Sequence, residues 1–458
     1  MSVNGADLTE QDYLDVAEAA VAAARKAGAE EAEAAVGAGN DFSATVRQGK
    51  TEKLLESGSK GVSLRVFVGG RAASVSTSDF SPAAIRRAAS DAVDLAKISD
   101  PDECGGLPDA GFGLAADPDD LETYDPATAT LTPERLIDWA GRAEQAAFDT
   151  HARVTNSDGG TAGRTTMRVA LANSRGFAAS YRRSSCGIGI EAIADDEDGK
   201  KRNGWWWSSH RSISQLESPE AVGRTAAERT VRQLGARQAP TGAVPVVWDV
   251  TVGPALLGIY ARAADGHAAY RRSTFLLGRE GETIGSASAV IVDDPTRPGL
   301  PASRPFDGEG LPTQRNVLFD AGRFTDFLLD TYSARKLGKA SNHSAGRGGA
   351  LTTVTTSNFY LEPGSHTPDE IIASVDQGLF LTDLIGFAEN ITTGDFSRGA
   401  GGIWIENGRL TYPVSEINVS GHLAEMLANL DMVANDLQFR SGTAAPTFRI
   451  GAMMVSGQ

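Results

Sequence analysis

A chain of 458 residues is long for one core and points to roughly two or three folding units. Its formal net charge of -16 comes without any long Lys/Arg run, which disfavours a nucleic-acid groove or an anionic membrane as main partner. Two cysteines make no disulfide framework, no apolar run is long enough to span a bilayer, and the opening MSVNGADLTEQD has neither a basic region nor an apolar stretch. The expected location is the cytoplasm.

In chain order, Thr9 caps a predicted helix reaching about Lys26, with Leu14, Ala17, Val21 and Ala24 on one side and Gly28 as its stop. Short strands are expected over Glu31–Val36 and Phe42–Arg47, then a hairpin of Val62–Val68 and Arg71–Thr77 about Gly69-Gly70. Ser81-Pro82 opens a helix with a stripe of Ile85, Ala88, Ala92, Leu95 and Ala96. Residues 99–130, rich in Asp, Pro and Gly, read as a surface connection. Thr132-Pro133 starts a further helix, followed by strands over Thr166–Ala172, Phe177–Tyr181 and Gly187–Ala194. Asp195–Lys201 reads as a solvated tip, Trp205–Trp207 follow, and Ser218-Pro219 caps a helix ending near Gly235.

The order helix, hairpins, helix thus occurs in 8–98 and again in 132–235, a possible structural repeat. Hairpins between helices argue for an α+β fold rather than a doubly wound parallel sheet. After Pro240 short strands dominate, at Val246–Val250, Ala289–Val292, Val317–Phe319, Phe324–Leu329 and Thr352–Tyr360. Three helices interrupt them: Pro254–Ala264, one opened by the capping box at Thr367–Glu370, and Leu423–Val433. The expected division is an α+β domain over 1–240 and a β-rich domain over 241–458 with a curved or barrel-like sheet.

The stretch Asn390–Gly421 stands out for chemistry. Thr393–Gly402 mixes Asp395, Ser397 and Arg398 with Gly399 and other glycines, too many for a helix. Asn407-Gly408 then joins two β-rich runs, a strong hairpin signal. Either a polar binding loop is mounted on a rigid hairpin, or this is a long glycine-rich surface connection. No GxxxxGKS/T loop, no GxGxxG after a strand and no GxSxG elbow is present, and the six histidines include no HExxH.

Several segments together resemble the TldD/PmbA family, once called modulators of DNA gyrase. They are Tyr270–Leu277, Pro305–Gly310, Tyr332–Gly338 and Thr393–Ala400, with Val68–Arg71, Ser76–Asp79 and Leu171–Phe177 upstream. The resemblance covers nearly the whole chain. Its TldD branch implies a zinc peptidase in which an HExxxH helix gives two histidine ligands and a glutamate base, and a cysteine near the C-terminus gives the third ligand. Here Gly258 and Ala263 stand at the histidine positions and Ile259 at the glutamate, and Ser441–Thr447 has no cysteine. The chain therefore resembles the PmbA branch, also called TldE. That resemblance implies a non-catalytic subunit without catalytic residues or metal of its own, paired with a zinc-bearing TldD-type partner. The pair would cleave unfolded peptides or small proteins, such as peptide precursors and antitoxins, within an enclosed chamber.

Candidate substrate-binding residues are Asp395, Ser397, Arg398, Gly399, His343 and Arg271. Each has a plainer reading: Arg271 and Arg272 grip a peptide carboxylate or form structural ion pairs, and His343 lines a chamber or makes an ordinary polar contact. His267 is a leftover ligand or a polar contact, and Trp205–Trp207 form a partner patch or pack inward. The alternatives to the subunit are a self-sufficient homodimeric peptidase with atypical ligands and a protein-binding regulator.

Overall fold

The computed structural model describes residues 8–197, 199–349 and 351–457. Residues 1–7 of the opening segment and Asp198 of the acidic tip fall outside the described residues.

Helix α1 (Glu10–Ala27) begins with a capping box, in which Thr9 Oγ1 accepts from Asp12 N and Asp12 accepts from Thr9 N, and it stops at Gly28 at φ 109°. Strands β1 (Glu31–Arg47), β2 (Lys50–Val68) and β3 (Arg71–Thr77) follow, then α2 (Pro82–Ile98). The same order recurs with α3 (Pro133–Thr150), β4 (Val154–Asn173), β5 (Ala178–Asp195), β6 (Lys201–His210) and α4 (Pro219–Val231). The six strands form one antiparallel sheet in the order β3-β2-β1-β4-β5-β6, so the two sets meet at the β1–β4 seam. Helices α1 and α2 bury Tyr13, Ala17, Ile85 and Ala92 against one half, and α3 and α4 bury Leu136, Ala143, Val222 and Ala226 against the other. The approach is close: a Cβ on Gly160 would stand 2.1 Å from the Ala140 carbonyl oxygen.

Several expectations change here, most clearly these. Strand β1 runs unbroken through Gly37–Asp41, because Gly37 pairs with Gly61 on one side and Val169 on the other. Hydrogen bonding on both flanks overrides the local turn preference of Gly and Asn. Asp196 in the acidic tip is buried rather than solvated: it accepts from Arg202 Nε at 2.7 Å and from Gly235 N at 3.0 Å, tying the β5–β6 turn to the segment after α4.

In the second half come β7 (Gly242–Trp248), α5 (Gly253–Ala263), α6 (Gly266–Tyr270), β8 (Ile291–Asp293), β9 (Asn316–Asp320), α7 (Thr331–Leu337) and β10 (Phe359–Leu361). Then follow β11 (Gln377–Ile385), β12 (Asp395–Glu406), β13 (Arg409–His422) and β14 (Phe448–Ser456). Strand β7 pairs with β11, β11 with β12, β12 with β13, β13 with β14 and β14 with β7, which closes a five-stranded barrel. Trp248 stacks on Phe448 at 5.6 Å, and Leu256, Ile259 and Tyr260 of α5 join the same apolar core.

The glycine-rich stretch expected as a flexible loop is strand β12 of this barrel. Bulges between Leu381 and Asp383 and between Ala400 and Gly402 bend the wall, and a Cβ at Gly402 would lie 2.1 Å from the Phe380 carbonyl oxygen. The glycine lets a small barrel close where side chains would keep the strands apart. Asn407 (φ 52°) and Gly408 (φ 72°) make the predicted hairpin turn. The predicted helix over Leu423–Val433 ends at Ala428, and Leu430–Val433 instead pairs with β14. Of Phe324–Leu329 only Phe324 is in a strand.

Candidate functional site

Helix α5 carries Gly258, Ile259 and Ala263, the residues that the family resemblance sets against a zinc-binding HExxxH. Ile259 and Ala263 are fully buried in the barrel core, whereas Gly258 faces open space. Tyr260 Oη donates to the Leu423 carbonyl at 2.8 Å and locks the helix to the end of β13. Hydrogen, sec-butyl and methyl groups offer no donor atoms to zinc, so these residues do not fit the metal. Among the described residues no three His, Cys, Asp or Glu side chains form a metal-sized cluster.

Beside the end of α5, Glu389 accepts from Arg398 Nε at 3.1 Å and Nη2 at 2.8 Å, and also pairs with Arg262 of the helix. Burial alone would raise the Glu389 carboxyl, but the two guanidiniums hold it below the usual range. The sequence reading missed Glu389, whose only signal was a carboxylate near a glycine-flanked arginine. Alternation along β12 splits the candidates: Phe396, Arg398 and Ala400 point inward, while Asp395, Ser397 and Gly399 face out. Asp395 accepts from Thr393 Oγ1 at 2.6 Å, and Asn418 donates to Ser397 Oγ at 3.1 Å. The Arg271 segment lies alongside, since Phe275 N donates to Ile391 O and Thr392 Oγ1 to Ser273 O. Arg271 itself is exposed and packs over Tyr270.

His343 belongs elsewhere. With φ at 61°, its Nδ1 donates to the Pro312 carbonyl at 2.6 Å, next to a buried carboxyl pair. Asp307 accepts from the backbone N–H of Glu309 and Leu311, and Glu309 accepts from Thr331 N at 3.0 Å and Thr331 Oγ1 at 2.6 Å. Burial raises both carboxyls, and each raises the other's cost of ionising. His267 Nε2 stands 2.9 Å from Asp330 Oδ2, the cap of α7, and Asp330 raises the imidazole pKa. This is the polar contact of the plainer reading.

The Pro305–Gly310 segment also joins the two halves of the fold. Phe306 packs edge-on against Phe177 in the β4–β5 turn and Tyr181 of β5, at 5.4 and 5.3 Å. Nearby, buried Glu33 accepts from Arg65 Nε at 2.5 Å and pairs with Arg347 at 2.6 Å. Trp206 donates to Glu217 at 3.1 Å beneath Arg440, while Trp205 and Trp207 stack on each other.

The comparisons with known proteins agree along the whole chain. Three family domains match in order: the PmbA/TldA metallopeptidase domain 1 over 32–96, the central domain over 126–234 and the C-terminal domain over 241–457. Metalloprotease PmbA of Escherichia coli O157:H7 is 34% identical over 428 residues, covering 93% of this chain and 92% of that one. The chain belongs to the PmbA/TldD metallopeptidase family. A PmbA homologue of Haemophilus influenzae is 33% identical across 98% of this chain and 97% of its own. A Bacteroides thetaiotaomicron protein described as a modulator of DNA gyrase superposes with a TM-score of 0.91 at 27% identity, covering 98% of this chain and all of that one. TldE of Thermococcus kodakarensis has the same fold, with a TM-score of 0.85 at 20% identity over 96% of this chain and 99% of that one. In this PmbA/TldD chain, no helix among the described residues is long and apolar enough to cross a membrane.

Proposed function

We propose that this chain is the non-catalytic subunit of a two-chain cytoplasmic zinc peptidase, its partner a TldD-type chain that carries the zinc. The observation that supports this most is the absence of any donor at Gly258, Ile259 and Ala263, with two of the three sealed in hydrocarbon. The substrates would be unfolded peptides and small proteins. The outward face of β12 would hold an extended peptide through the side chains of Asp395 and Ser397 and close approach at Gly399, since its main-chain groups are paired on both flanks, and Arg271 would lie beside it. Arg398 would fix that strand from the inside, and His343 would line the chamber from the second cluster.

The test is zinc content and cleavage of an unstructured peptide by this chain alone and mixed with a TldD-type chain. Activity only in the mixture, with stoichiometric zinc in the partner, is the expected result. Zinc-dependent cleavage by this chain alone would establish the self-sufficient peptidase instead. Binding without cleavage in either case would favour the regulator.

A further inference from the structure

The face of the six-stranded sheet opposite its helices carries a trough. Register places Ser63, Ala35 and Leu171 on one rung, Gly61, Gly37, Val169 and Tyr181 on the next, and Ser59, Gly39, Met167 and Arg183 on a third. Small residues on β1 and β2 beside large ones on β4 and β5 leave a channel, and the Arg304–Gly308 segment and Arg347 close it from the other half. The cavity measures about 520 Å³, the size of a pocket for a short peptide segment.

Three arginines line it, and they are unequally satisfied. Arg347 donates from Nε to the Gly308 carbonyl at 2.6 Å and pairs with Glu33, but its buried Nη1 has no hydrogen-bond partner among the described residues. Arg304 has no side-chain hydrogen bond and no ion pair within 4 Å among the described residues, although its charge faces the buried carboxyls of Asp307 and Asp293. Among the described residues Arg183 reaches only the Met167 sulfur. The carboxylates nearby are already engaged: Glu33 is shared by Arg65 and Arg347, and Asp307 by backbone N–H groups. In a chain of net charge -16, a trough lined by three guanidiniums favours an anion. The apolar lining, Val169, Leu171, Met167 and Phe306, favours a hydrocarbon group beside that anion.

The geometry points to a binding site for the C-terminal carboxylate of an extended peptide with an apolar last residue, held by Arg304 with Arg347 and Arg183. It is separate from the β12 face and stands whether or not a second subunit does the cleaving.

The experiment is fluorescence anisotropy on the full chain alone, with a dye-labelled Gly-Ser-Gly-Ser-Ala-Leu peptide as free acid and as C-terminal amide. The acid should bind, and the amide at least about tenfold more weakly, which is the loss of one charge-assisted hydrogen-bonded contact. Arg304→Ala and the exposed Arg183→Ala should each weaken the acid and leave the amide unchanged, with thermal melts matching the unsubstituted chain. Equal binding of acid and amide, no binding of either, or no response to both substitutions would overturn the assignment. Full displacement by inorganic phosphate at equal concentration would overturn it too, reducing the site to a general anion pocket. Because nothing is cleaved, failure here is distinct from failure of the subunit reading.

Discussion

Removing Glu389 tests how the inner face of β12 is held. The Arg398 and Glu389 side chains are only 6% and 8% exposed, and two hydrogen bonds of 3.1 and 2.8 Å join them. Arginine cannot shed its proton, so Glu389→Ala leaves a buried cation whose remaining neighbour is the ring of Phe387 at 5.0 Å. Breaking a buried pair in this way costs about 3–5 kcal/mol. Arg398→Ala should cost less, about 1.5–3 kcal/mol, because Glu389 keeps Arg262 as a partner. The double variant should fall short of the sum by roughly 1–3 kcal/mol.

The assay is urea unfolding followed by intrinsic tryptophan fluorescence, to which Trp248, in the same core as Phe396, contributes. The sign with pH is fixed. A carboxyl held below its ordinary value contributes stability above the usual carboxylate range and loses it as pH falls through the lowered pKa. The unsubstituted chain should therefore lose more on going from neutral to acid pH than Glu389→Ala does. Equal costs for the two single variants with full additivity, or costs below about 1 kcal/mol, would refute the reasoning.

Three further outcomes follow from the geometry. Glu309 is raised to about 8, so its folded state keeps a proton that the unfolded chain releases, and stability should fall as pH rises from the ordinary carboxylate range toward 8. Glu309→Gln should flatten that slope in urea melts at the two ends of the range, and an unchanged slope would discount the carboxyl pair. His267, raised by Asp330, contributes stability below its ordinary pKa that disappears as pH rises through the raised value; His267→Gln should erase this component, as melts on either side of neutrality would show. Gly402→Ala should destabilise by about 1–3 kcal/mol through the Phe380 carbonyl clash, whereas Gly348→Ala, with open space around it, should stay within about 0.5 kcal/mol in the same melts.

Local chemistry settled much of this protein in advance. Thr9, Ser81, Thr132, Ser218 and Thr367 each accept from a backbone N–H at the start of the helix that they were expected to cap. The Asn407-Gly408 turn fell where two positive-φ residues were needed. These features depend on neighbours a few residues away. Tertiary structure decided the rest. Gly37–Asp41 and Gly399–Gly402 read as breaks, yet pairing with strands on both sides made them the middle of one sheet and the wall of a barrel. The sequence marked Arg398 but not its partner Glu389, nor the sharing of Glu33 between Arg65 and Arg347, 282 positions apart in numbering from Arg65 to Arg347 (347 − 65). A charge's partner is fixed by which distant strands become neighbours, and local propensity carries no record of that register.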